Sequence, residues 1–388
     1  MKTKSDIFRE QAASLQTKLV AMRRELHQNP ELSNEEYETT ARIRAWLTEA
    51  GIRMLDWSLP TGVMAEVKGK HDGPIILLRA DIDALPVQEE TGLPFSSTVP
   101  GKMHACGHDF HTSSMIGAAK LLQERAEELR GTVRILFQPA EELAIGARAV
   151  IEAGALEGVS AVFGMHNKPD LPVGTVGIKT GPLMASVDRF EIEVQGKGGH
   201  AGMPEAASDP IVVSSAIVAA LQTLVSRNVS PKHAAVVSVC RLEAGKTWNV
   251  IPDTGYLEGT VRTFQPEARA QIPAQMRRIV ESVAEGYGAK ATLKWISMLP
   301  AVNNEQNTVD IMRTAAAAQG LEIVEAEPTM GGEDFALYQE LVPGCFIWMG
   351  TSGTEQWHHP QFTLQEEALA ISAALFAETA VEALEQLR

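Results

Sequence analysis

Cysteine is scarce in this chain: Cys106, Cys240 and Cys345 are the only three among 388 residues. An odd and sparse set cannot form a disulfide framework. Cys240 and Cys345 stand in apolar, strand-like contexts and read as buried filler, whereas Cys106 has polar neighbours of a different kind. Positive charge is also short, with 34 Lys+Arg against 49 Asp+Glu and a formal net charge of -15. A broad nucleic-acid footprint needs a basic face or stripe, so nucleic acid is not an expected partner. The charge of a small substrate stays open, because a pocket can oppose the global field. No apolar run reaches the ~20 residues of a membrane-spanning helix. The opening Met1-Lys2-Thr3-Lys4-Ser5-Asp6 leads into a polar amphipathic helix without a signal-peptide core. A soluble, cytoplasmic protein without membrane association is the resulting expectation.

What is present is a globular composition, 45% hydrophobic over a length that suggests two domains. Ile75-Ile76-Leu77-Leu78 and Val133 to Phe137 are apolar on both faces, the pattern of central strands covered on both sides. Ser160 to Met165 and Cys345 to Met349 read as further strands. Helices are expected over Thr112 to Leu129, Ala144 to Glu152, Thr308 to Gln319 and Leu364 to Leu387. Alternating strands and helices indicate an α/β fold with helices on both faces of the sheet. The middle of the chain changes character. Phe190, Ile192 and Val194 alternate with Glu191, Glu193 and Gln195, and Val187 and Asp188 extend the apolar and polar sets. A helix over Pro210 to Val225, strands over Ala234 to Leu242 and Tyr256 to Phe264, a helix over Glu267 to Tyr287 and a strand over Lys290 to Ser297 follow. This β-α-β-β-α-β order is ferredoxin-like. The expected division is 1–183, an inserted domain at 184–297, and 298–388 completing the first domain.

The chemistry concentrates in His104-Ala105-Cys106-Gly107-His108-Asp109-Phe110-His111. A thiol, three imidazoles and a carboxylate share eight residues. Glu141-Glu142, His166 and His358 stand at or beyond the carboxyl ends of other predicted strands, where open α/β sheets place ligands. Cys106, His108, Glu142, His166 and His358 are the candidate metal ligands. Thiolate, imidazole and carboxylate together suit zinc, and also manganese, cobalt or nickel. Asp83, ending the first central strand, is a candidate to hold the ring of His108, though an ordinary turn role is open. Of the adjacent glutamates, one can ligate while the other serves as base. Glu141 is the favoured base and Glu142 the favoured ligand, with the reverse order open on the residues alone.

These runs resemble the M20 metallopeptidases, in particular the amidohydrolase branch of N-acyl-amino-acid deacylases, hippurate hydrolases and auxin-conjugate hydrolases. The resemblance rests on Arg79-Ala80-Asp81-Ile82-Asp83-Ala84-Leu85-Pro86, the Cys106 loop, Phe137-Gln138-Pro139-Ala140-Glu141-Glu142, Gly198-Gly199-His200-Ala201-Gly202, Asn249-Val250-Ile251-Pro252, Gly259-Thr260-Val261-Arg262, Gly331-Gly332-Glu333-Asp334-Phe335 and His358-His359-Pro360. It implies a mixed-sheet metallopeptidase catalytic domain and a lid and dimerisation domain. It implies two divalent ions bridged by Cys106 and completed by His108, Glu142, His166 and His358, with Glu141 as general base. In other branches an aspartate is the bridge and a histidine stands at the position of Asp81. The resemblance further implies that His200 stabilises the oxyanion, in its own or a partner's site, and that Asn249 and Arg262 bind the substrate carboxylate or lie at the subunit boundary, with a structural salt bridge open for Arg262. Glu333 and Asp334 would shape the pocket. The implied reaction is hydrolysis of N-acyl-L-amino acids by a homodimer or higher homo-oligomer. N-acetyl compounds, including those of sulfur amino acids such as N-acetylcysteine, are the foremost substrates. A dipeptidase or aminopeptidase of the same family, or a metal-binding dimeric scaffold without turnover, are the alternatives.

Overall fold

In a computed structural model of the chain, residues 4–56 and 58–387 are described. They divide into two compact units. The first comprises Met1–Leu183, Asn303–Glu327 and Asp334–Arg388, and the second Met184–Val302 with Pro328–Glu333. The second unit therefore runs five residues beyond Ser297 and takes back a short later segment.

The first unit is built on an eight-stranded mixed sheet. Its order is Arg53–Met54, Val63–Lys68, Arg130–Gln138, His71–Asp81, Val159–Lys168, Gly344–Gly350, Thr175–Ile178 and Glu322–Glu325. The four central strands run parallel, and Val63–Lys68 is antiparallel to its neighbour Arg130–Gln138. The central strands bury both faces: Ile76, Leu77, Leu78, Val133, Ile135, Leu136, Phe137 and every residue of Gly344–Gly350 are buried. Each such aliphatic side chain contributes roughly 1.5–3 kcal/mol by leaving water. Parallel alignment brings the carboxyl ends of four strands to one edge, and the loops that follow them carry the candidate ligands. Thr175–Ile178 is a strand that the sequence pattern left unassigned. It is four residues long, and Gly177 interrupts its apolar run.

Helices Lys4–Gln28, His108–Glu124 and Ala368–Gln386 pack on one another. Gly117 permits this, since a Cβ there would lie 2.7 Å from the Cβ of Ala373 and 3.1 Å from Leu19. The middle helix begins at His108, four residues earlier than its apolar periodicity suggests, so a candidate ligand occupies its first turn.

The second unit has a four-stranded antiparallel sheet in the order Ala235–Ala244, Thr254–Thr263, Ser186–Gln195 and Lys290–Leu299. Helices Pro210–Thr223 and Pro266–Gly286 join its core, in which Phe190, Ile192 and Val194 meet Val213, Ile217, Leu221, Ile272, Met276 and Val280. This is the ferredoxin-like arrangement. Two details depart from the pattern reading. Asp188 is fully buried rather than solvent-facing, because the Arg269 guanidinium donates to both its carboxylate oxygens at 2.8 Å. Cys240 is exposed rather than buried. It lies at a register shift on the outermost strand, where nothing covers it among the described residues of this unit. Cys345 is buried as expected. The stretch Pro210–Asn228, 19 residues, is also long and apolar enough to cross a membrane, contrary to the expectation from run length alone. Its inward residues Val213, Ile217, Leu221 and Leu224 pack into the core of their own unit, which accounts for that apolarity.

Candidate metal centre

The His104–His111 segment turns from loop into helix at Gly107, which adopts φ 81°. A side chain is excluded there twice over. The left-handed conformation disfavours it, and a Cβ would lie 2.4 Å from Nδ2 of Asn167. The turn places Cys106 and His108 on one side, both buried. His166, near the end of Val159–Lys168, brings its Nε2 to 3.3 Å from the Cys106 Sγ. Glu142 and His358 complete the cluster, with His358 Nε2 3.5 Å and His108 Nε2 4.0 Å from a Glu142 carboxylate oxygen. The ligand atoms of Cys106, His108 and His166 all lie within 4.8 Å of one another, as do those of Cys106, Glu142 and His358. All five candidate ligands therefore converge, and Glu141 joins His108 and Glu142 in a further group of the same tightness.

Hydrogen bonding selects the atoms that face inward. His108 donates from Nδ1 to the Asp83 carbonyl oxygen at 2.9 Å and stands 3.2 Å from the Asp83 carboxylate, leaving Nε2 without a hydrogen bond. His166 donates from Nδ1 to the Asn167 carbonyl at 2.9 Å, which frees its Nε2 for the Cys106 side. A Glu142 oxygen is likewise buried without a hydrogen bond. Buried polar atoms are nearly always partnered. A thiol, two oriented imidazole nitrogens and an orphaned carboxylate oxygen pointing at one another fit divalent ions of the zinc, manganese, cobalt or nickel type. Burial pushes the Cys106 thiol well up, and the carboxylates of Glu142, Glu141 and Asp81 add to it. Burial opposes a charged His108, yet Asp81 and Asp83 raise it to about 10. Burial raises Glu142 to about 7, against the pull of His108.

The loop bearing Glu141 and Glu142 is held in an uncommon backbone shape. Ala140 and Ala144 have φ 55° and 57°, and His358 has φ 67°. Each such non-glycine residue costs on the order of 1–3 kcal/mol, a strain often stored at functional sites. The Ala140 amide donates to buried Glu36, and the Glu142 amide donates to Asp83. Asp83 therefore positions two ligand-bearing segments at once.

Asp109, one residue past His108, turns away from the cluster. It takes hydrogen bonds from Arg23 at 2.7 Å and His27 at 2.8 Å, tying the loop to the first helix. His111 instead donates to Asp81 at 2.6 Å. Asp334 groups with Glu141 and Glu333, their ligand atoms within 4.8 Å of one another. It is fully buried and accepts from Arg79, Gln138 and the Ala147 amide, which pins the loop after Arg130–Gln138. His104 is buried without a hydrogen bond, and burial lowers it to about 4, so it stays neutral.

His200, Asn249 and Arg262 belong to the second unit. His200 pairs with Val250 in a two-residue ladder, and the Ala201 amide donates to the Asn249 carbonyl, so His200 and Asn249 lie at one small two-stranded sheet. The Gly202 amide donates to His200 Nδ1 at 3.0 Å, which leaves the ring proton on Nε2 of the exposed imidazole. Arg262 is half-buried, and burial lowers its pKa.

The family model for peptidase family M20/M25/M40 matches residues 77–382. The chain belongs to this family. Membership makes it a metal-dependent hydrolase of amide bonds. It is 61% identical over 373 residues to N-acetylcysteine deacetylase of Bacillus subtilis (strain 168), covering 96% of this chain and 98% of the relative. It is 49% identical over 373 residues to N-acetyl-L-cysteine deacetylase of the same organism, covering 96% and 90%. A crystal structure of a Bacillus subtilis protein described as a dinuclear metal binding peptidase from the M20 family superposes with a TM-score of 0.89. It is 57% identical and covers 96% of this chain and 99% of its own. The M20 assignment accounts for the mixed sheet and the ligand chemistry together.

Proposed function

We propose that the protein hydrolyses N-acyl-L-amino acids, foremost N-acetyl compounds such as N-acetylcysteine, to a carboxylate and a free amino acid. The observation that carries this reading is the convergence of Cys106, His108, Glu142, His166 and His358 beside Glu141. The likeness to two N-acetylcysteine deacetylases supports the substrate class. The five converging side chains would hold two divalent ions, with Cys106 supplying the thiolate. When bound, such ions polarise a carbonyl and lower the pKa of water. Glu141 takes the proton of the attacking water and returns it to the leaving nitrogen, so one carboxyl group serves both halves of the reaction. His200 donates from Nε2 to the developing oxyanion. Arg262, through its forked donors, and Asn249 hold the substrate carboxylate.

The test is amine release from metal-free and reconstituted enzyme, on N-acetyl-, N-benzoyl- and N-carbamoyl-amino acids and on dipeptides with free amino ends. Metal-restored hydrolysis confined to the N-acyl compounds is expected. Preference for the dipeptides would move the protein to a peptidase role, and inactivity throughout would favour a silent scaffold.

We further propose that the protein acts in the cytoplasm as a homodimer assembled through the second unit. Ala235–Ala244 is an edge strand of ten residues, half-exposed or exposed throughout, with no proline or lysine. Ile211, Val212 and Leu242 of the same unit are exposed too. Such an edge is a template for pairing with another chain. Sedimentation is expected to give a dimer that Leu242→Lys shifts toward monomer. A wild-type monomer at micromolar concentration would refute it.

A further inference from the structure

We infer that Asn167 is a positioning residue that sets the spacing of three ligand-bearing segments before any ion arrives. Its side chain is fully buried, and its polar atoms are directed to those segments. Nδ2 donates to the carbonyl oxygen of Cys106 at 2.6 Å. The backbone carbonyl oxygen, which any residue here would present, accepts from His166 Nδ1 at 2.9 Å, fixing the tautomer that frees Nε2. The same carbonyl and Oδ1 accept from Trp357 Nε1 at 3.0 and 3.2 Å, and Trp357 immediately precedes His358. The backbone amide donates to His111 Nε2 at 2.9 Å, and His111 in turn donates to Asp81 beside His108.

The geometry is mutually dependent. Gly107 has no side chain because Nδ2 of Asn167 occupies that space. Trp357 packs edge-on against the His166 ring with centroids 4.6 Å apart, so fixing the indole also fixes the imidazole. The ligands come from segments far apart in the chain, so something must hold the loops in register before an ion binds. Asn167 does so from behind the donors with neutral hydrogen bonds and presents no ligand of its own to the ions. An aliphatic residue of the same length would leave the Cys106 carbonyl without its partner from this position and reduce the indole N–H and His111 Nε2 to their bonds with the backbone of residue 167.

This inference rests on the proposed assignment of Cys106 and His166 as ligands, and its test is read in metal affinity rather than turnover. Metal-free Asn167→Leu is titrated with cobalt against a competing chelator, with the cobalt–thiolate absorption followed and the fold checked by circular dichroism. Removing a partner that orients a ligand typically costs 10–100-fold in metal affinity. That loss, with a displaced thiolate band in a protein that keeps the wild-type far-ultraviolet spectrum, is the expected result. Affinity within two-fold of wild type and an unmoved band would overturn it. Should Asn167→Leu not fold, Asn167→Ala decides in the same way, since it removes the Nδ2 donor and Oδ1 without adding charge. Cys106→Ser is run alongside. If it binds cobalt like wild type and keeps the thiolate band, the ligand assignment itself has failed, independently of Asn167.

Discussion

Replacing Glu141 by glutamine lowers kcat by about 10³–10⁴-fold while the protein keeps its full complement of ions. General acid–base assistance is worth roughly 10²–10⁴-fold, and here one carboxyl group is assigned both the removal of the water proton and its delivery to nitrogen. The upper part of that range corresponds to about 4–5.5 kcal/mol of barrier. Glutamine preserves the size and the backbone of the loop between left-handed Ala140 and Ala144, so loss of activity through a displaced Glu142 is not expected. Metal content by plasma emission and kcat on N-acetyl-amino acids are the two measurements. A variant that retains more than a tenth of wild-type kcat would remove Glu141 from the role of base. One that loses its ions would reverse the roles of Glu141 and Glu142. Their adjacency left that order open on the residues alone. The structure places Glu142 against both Cys106 and His358, whereas Glu141 groups with His108 and Glu142.

The candidate ligands were legible in the sequence because thiol, imidazole and carboxylate at the ends of apolar runs are a chemical signal that survives without coordinates. The central strands were legible for a related reason, as residues buried on both faces form unbroken apolar runs. What was not legible depends on neighbours. An apolar strand reads alike at the centre or the edge of a sheet, which is why Cys240 was expected inside and lies outside. Asp188 was placed with the solvent-facing set because alternation says nothing of Arg269, some eighty residues later, whose guanidinium makes its burial tolerable. Asp334 sits in a motif shared with Glu333, but only the fold reveals that it locks Arg79 and Gln138. His111 stood out within the ligand loop as a group able to orient a ligand and Asp81 as the end of a central strand, but their pairing is visible only in the fold, and Asn167 carries no spacing signal. The nearest hint for Asn167 was its bare adjacency to His166.

Converting Cys106 to serine is expected to lower kcat by at least about 10³-fold and to leave the protein short of one or both ions. Metal binding requires a deprotonated ligand, and a serine hydroxyl does not ionise in a pocket already crowded by the carboxylates of Glu142, Glu141 and Asp81. The same crowding raises the thiol, so its ionisation and the arrival of cations are coupled events. Aspartate at this position makes a sharper comparison. It is ionised near neutrality and offers two oxygens, and it is the bridging residue implied for other M20 branches. Cys106→Asp is therefore expected to hold more metal than Cys106→Ser. Its activity should still fall below wild type, because Asn167 holds the Cys106 carbonyl and so sets where the side chain begins, while a carboxylate reaches differently from a thiolate. Metal content of the three proteins after identical reconstitution, read beside kcat, gives the order wild type, aspartate, serine. Equal metal content in wild type and serine variant would show that the ions are held without the thiolate, leaving His108, Glu142, His166 and His358 as the holding set. A serine variant that binds one ion instead of two would identify the thiolate as the element that joins the pair.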